Sequence, residues 1–178
     1  MLASLRAAEP FYGSFDVGNL PLAKSECWVA FGPPEYKGVT HQTISLAADG
    51  LRIFVNTETK PAIDHLRDVL KRREPEARRA LQTLHESSEF ELILKECIQR
   101  GVRATDYAER VRLHSSLLLP EAGSTAWLVF VEAVATMRRP NLVIERLLPP
   151  KQLIGPEPVQ RVVDILRRNH AIVSLLNA

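Results

Sequence analysis

Cysteine is scarce: the 178 residues hold two, Cys27 and Cys97. Neither belongs to a C-x-x-C pair, and no histidine stands near either at metal-ligand spacing. That argues against a zinc module and against a disulfide-stapled scaffold, and it fits a reducing compartment. Aromatic residues are also few, at 6%. Long hydrophobic runs are missing. The most apolar stretch, 125–137, is too short to span a bilayer and is broken by Glu132. Residues 1–10 lack the apolar run of a signal peptide. The cytoplasm is the expected location, and no membrane partner is expected.

Charge of one sign is lacking too. The formal net charge is +2, from 23 basic and 21 acidic residues. Such a balance does not by itself direct a protein to nucleic acid. The densest basic stretch runs from Arg67 to Arg79 and includes Lys71, Arg72, Arg73 and Arg78. Asp64, Asp68, Glu74 and Glu76 offset much of it, and no aromatic residue interrupts it. Mixed signs at helical spacing describe a solvated face. Nucleic acid is not an expected partner.

Motifs for familiar chemistry are missing as well. There is no G-x-S-x-G and no H-E-x-x-H, and no two of the five histidines stand four apart. The segment 13–18 lacks the glycine spacing of a phosphate-cradling loop. No cofactor is expected.

What is present points to an α+β protein: mainly antiparallel sheet with packed helices. Asp49-Gly50 lies between two alternating runs, 40–48 and 51–56. Asp-Gly is a strong hairpin turn because it tolerates positive φ. A turn at those two residues pairs Ala48 with Leu51, Leu46 with Ile53 and Ile44 with Val55, and buries all six on one face. Residues 27–31 read as a preceding strand, and residues 1–25 as an irregular arm anchored by Phe11, Tyr12, Phe15, Leu20 and Leu22.

Pro61 and Pro75 each suit a first helical turn. Ile63, Leu66 and Leu70 follow the first, and Ala77, Ala80, Leu81 and Leu84 the second, at helical spacing. Residues 89–97 alternate as a strand. Residues 109–119 read as another, with a helix from Thr105 fitting nearly as well. Residues 125–136 read as a central strand, a turn follows at 137–140, and 141–148 read as its antiparallel partner. A helix closes the chain from about Pro156.

The order is sheet then helices, twice, within one domain of residues 1–178 that admits a division into 1–88 and 89–178. Asp68-Val-Leu-Lys-Arg72 and Asp164-Ile-Leu-Arg-Arg168 occupy matching places, as a duplication would leave them.

Two candidate sites follow from these strands. His41, Thr43 and Ser45 share one strand face with Arg52 opposite, and could form a polar pocket beside the Gly/Pro-rich loop that precedes them. If 137–140 is a four-residue connection, Glu132 opposes Glu145, and two facing carboxylates could share a proton or hold a cation. His170 falls on the apolar stripe of the last helix, where a core histidine is expected.

The leading functional reading is a non-catalytic interaction or regulatory module whose partner is a protein, itself or another. The rivals are an enzyme with a site near His41 or Glu132, and a nucleic-acid binder using Arg67–Arg79. Apolar residues on several sides of 165–176 suggest a homodimer contact there.

Overall fold

The computed structural model describes residues 14–16, 27–32, 38–100, 105–118 and 125–178. Four of the arm's anchors, Phe11, Tyr12, Leu20 and Leu22, lie outside these residues, as does the loop 33–37.

Seven strands form one antiparallel sheet: β1 (Ser14–Asp16), β2 (Cys27–Gly32), β3 (His41–Ala47), β4 (Gly50–Thr57), β5 (Glu91–Arg100), β6 (Thr105–His114) and β7 (Pro140–Leu148). Their spatial order is β1-β2-β3-β4-β7-β5-β6. The helices are α1 (Lys60–Arg72), α2 (Glu74–Ser87), α3 (Thr125–Thr136) and α4 (Pro158–Leu175). The protein is thus α+β, as its sequence implies.

β3 and β4 form the expected hairpin in a different register. Leu46 opposes Leu51, Ile44 opposes Ile53 and Gln42 opposes Val55. The turn residues are Ala48 and Asp49, and Gly50 already belongs to β4. No residue other than glycine adopts positive φ among the described residues, whereas Gly50 has φ 141°. A Cβ there would stand 2.3 Å from the carbonyl oxygen of Leu148. Gly50 therefore serves the close approach of β7 and leaves the turn to its predecessors. Parity survives the two-residue slip, so Ile44, Leu51, Ile53 and Val55 are buried together. Leu46 is not: it stands beside the turn, 51% exposed.

Residues 125–136 form a helix and not a strand. Trp127, Phe130 and Val134 supply the buried stripe at helical spacing. The β-branched and aromatic content suggested a strand, but twelve residues are long for a strand and ordinary for a helix. Trp127 packs on Phe130 at 5.5 Å between ring centroids, and its indole N–H donates to Glu74 Oε1 at 2.6 Å. This helix breaks the symmetry of two sheet-then-helix halves, because the second half alternates strands with helices. The strand near 109–119 ends earlier, at His114, and Ser115–Leu118 follow as a 3-10 turn.

The helices contribute to two hydrophobic clusters on one face of the sheet. The larger joins Val55, Leu92, Leu94, Leu142 and Ile144 to α1, α2, α3 and the end of α4. The smaller joins Ile44, Leu51 and Ile53 to Val162, Val163, Ile165 and Leu166 of α4. Ile165, Ile172, Val173 and Leu176 are buried within the chain, so the apolar surplus of 165–176 is used internally. His170 is exposed and not in the core; its ring lies 3.4 Å from the Ser174 hydroxyl.

Polar contacts fix α4 on the sheet. Gln42 Nε2 donates to the Leu166 carbonyl at 3.2 Å, and Asn169 Nδ2 donates to Gln42 Oε1 at 3.0 Å, both buried. Asn177 accepts from the Thr40 N–H at 2.9 Å and donates to the Thr40 carbonyl at 2.8 Å. Buried amides satisfied in this way pin register as well as position.

Candidate functional site

Alternation along the strands sends His41, Thr43, Ser45, Arg52 and Glu145 to the face opposite the helices. The expected neighbours on β3 and β4 therefore do share a surface, and β7 adds Glu145 to it. It is not an open wet face, since His41, Thr43 and Ser45 are buried. His41 Nδ1 lies 3.2 Å from the Val39 carbonyl. The Ser45 hydroxyl, Asn56 Oδ1 and Asn141 Oδ1 have no hydrogen-bond partner among the described residues.

The opposed carboxylates are not the expected two. Glu132 is exposed on α3 and takes no part in the sheet ladder, because its segment is helical. Glu145 faces Phe54 on β4 and Glu91 on β5. Arg52 lies 3.8 Å from Glu145 and 2.6 Å from Asp49. Arg112 also feels the charges of Glu91 and Glu145, although its main partner is Glu109. The carboxylates are thus interleaved with guanidinium groups.

Two serine–histidine pairs escaped the sequence reading. His85 Nδ1 lies 2.7 Å from Ser115 Oγ, and His114 Nδ1 lies 2.8 Å from Ser116 Oγ. Such pairs can activate a nucleophile. Ser115, however, is fully buried and already accepts the Phe90 N–H at 3.1 Å. It closes the junction between α2 and β5 and offers no access to a substrate.

The basic stretch is largely engaged. Arg67 Nε and Nη2 donate to the carbonyls of Val134 and Met137 at 3.1 and 2.6 Å. Arg72 pairs with Asp68 at 2.7 Å and Arg73 with Glu76 at 2.6 Å, while Arg78 lies over the Trp127 ring at 5.3 Å. These contacts are a framework for helix packing and leave little continuous free positive surface.

Two surface features remain. One is the outer side of α3, where Leu128 is 59% and Val129 46% exposed. The adjoining 3-10 turn adds Leu117, 44% exposed. The other is a cleft of about 390 Å³ where α1 meets the start of β7 and the Cys97–Tyr107 pair of β5 and β6. Lys60, Arg67, Arg138 and Arg139 supply its positive charge, Glu58 and Asp64 its negative charge. These groups come from distant parts of the sequence, and no local motif connects them.

No group of three or more His, Cys, Asp or Glu side chains among the described residues could hold a metal ion. No helix among them is long and apolar enough to cross a membrane. No family model matches the chain, and comparison with curated proteins and with solved structures finds no match.

Proposed function

We propose that the chain is a non-catalytic interaction module that associates with a second copy of itself through the outer side of α3. The observation that carries this reading is the character of that helix. A surface helix normally turns charged residues to water. The exposed positions of α3 are Thr125, Leu128, Val129, Glu132, Ala135 and Thr136, and Glu132 is their only charge. Clustered apolar residues on a surface mark contact sites. The strand edge at β6 is a poorer candidate, because Asp106, Glu109, Arg110 and Arg112 line it and charge protects an edge from pairing. A two-fold arrangement lays the apolar strip against its own copy, the commonest form of small oligomer.

Sedimentation equilibrium at tens of micromolar tests the reading. The wild type is expected to dimerise, and Leu128→Lys to sediment as a monomer with an unchanged circular dichroism spectrum. A wild type that stays monomeric overturns the proposal, as does a dimer that Leu128→Lys leaves intact.

A further inference from the structure

The cleft beside the first half of α1 carries more positive than negative side chains among the described residues. Most cations described above have a carboxylate or a carbonyl within reach. In the cleft, Asp64 is shared by Lys60, which is hydrogen-bonded to it, and by Arg67 at 3.6 Å. Arg67 is fixed further by its two bonds to the carbonyls of Val134, in the last turn of α3, and Met137, just beyond it. It therefore presents a held positive charge at the wall of the cleft.

Arg138 and Arg139 follow α3 after Met137 and line the same cleft. Neither side chain makes a hydrogen bond or an ion pair among the described residues. The backbone beneath them is anchored, because the Arg139 carbonyl accepts the Cys97 N–H at 2.9 Å. Glu58, the other carboxylate, is in contact with Asn141 Nδ2 at 3.5 Å and neutralises neither arginine. Among the described residues, four cations face two carboxylates here, an excess of two positive charges. A guanidinium fork matches the two oxygens of a carboxylate or phosphate. The volume suits a small metabolite and is too small for a folded partner.

We infer that this cleft binds a small dianion, a phosphate monoester or a dicarboxylate, with Arg138 and Arg139 making the direct contacts and Arg67 supplying fixed positive charge behind them. The inference is independent of α3's outer side, which carries the proposed self-association. Arg138 and Arg139 are exposed, so their replacement leaves the core intact.

Calorimetric titration of the full chain at low ionic strength decides it, with inorganic phosphate and succinate as separate probes. Saturable one-to-one binding of either probe below about 1 mM is expected. The tighter of the two identifies which chemistry the cleft prefers. The double variant Arg138→Gln, Arg139→Gln is expected to lose at least about tenfold in affinity, the scale of a lost charge-assisted hydrogen bond. Arg79→Gln, an exposed arginine outside the cleft, is expected to bind as the wild type does. Absence of saturation by both probes overturns the inference. So does a double variant that binds normally, or an Arg79→Gln variant that loses as much as the double variant.

Discussion

Arg146 Nη2 donates to the Leu84 carbonyl at 3.0 Å, which places a guanidinium from β7, an interior strand of the sheet, under the C-terminus of α2. It also donates to the Ser88 carbonyl at 3.3 Å, and Arg168 donates to the Ser87 carbonyl at 2.8 Å. Cations belong at this end of a helix, where carbonyls lack intrahelical partners. Arg146 is only 4% exposed, and its Nε and Nη1 find no acceptor among the described residues. Burial, and then the charge of Arg168, push its pKa down to about 10.

Two effects therefore compete at Arg146. Lowered from its ordinary value to about 10, the pKa corresponds to about 3 kcal/mol of unfavourable burial and of repulsion from Arg168 together. Two charge-assisted hydrogen bonds return roughly as much. Arg146→Met, which keeps the volume and removes the charge, is expected to change stability by less than about 1.5 kcal/mol. Arg146→Ala leaves a cavity as well and is expected to cost about 2–4 kcal/mol. Urea unfolding of both variants checks the contrast, and equal losses would mean that the charge itself is what holds α2 in place.

The hairpin gives a second contrast. Ile53 is 0% exposed in the smaller cluster, whereas Leu46 is half-exposed and belongs to neither cluster. Ile53→Ala is expected to lose about 2–5 kcal/mol, the range for emptying a core site. Leu46→Ala is expected to lose less than about 1 kcal/mol, as surface changes do. The turn-centred register would have given both residues a core-sized effect, so the pair of measurements separates the two registers.

Acid should weaken the fold in a defined window. Asp49, Asp64, Glu76 and Glu109 are each held below the ordinary carboxylate range, chiefly by side-chain hydrogen bonds from Arg52, Lys60, Arg73 and Arg112. Their unfolded values are 3.8 for aspartate and 4.5 for glutamate. Lowered folded values mean that the unfolded chain binds more protons in acid, so stability falls as pH falls. The contribution is complete above the unfolded values and disappears through the folded ones. The urea midpoint is expected to hold steady from pH 7 to about pH 5 and to decline below. The decline should be smaller in Glu109→Gln and in high salt, since all four pairs are exposed to screening. A midpoint that rises below pH 4 would contradict the assignment.

The sequence by itself determined the elements whose signals are local. Pro61 and Pro75 mark the starts of α1 and α2, because proline fits a first turn and the stripes behind it repeat at helical spacing. Alternation marked β3, β4, β5 and β7, and parity alone put His41, Thr43, Ser45 and Arg52 on one face. Tertiary structure decided the rest. The apolar run of α3 carries no local signal that separates buried strand from helix, and the packing of Trp127 against Glu74 and Arg78 settled it. Gly50 carries a turn signal in the sequence, but its place is set by the Leu148 carbonyl, which presses against it from a strand about a hundred positions away. Glu145 met Glu91 in place of Glu132 because β7 inserts between β4 and β5. The cleft was invisible for the same reason: Lys60, Arg67, Tyr107, Arg138 and Arg139 meet only when sheet and helices are assembled, and charge excess at a site is a property of distance in space.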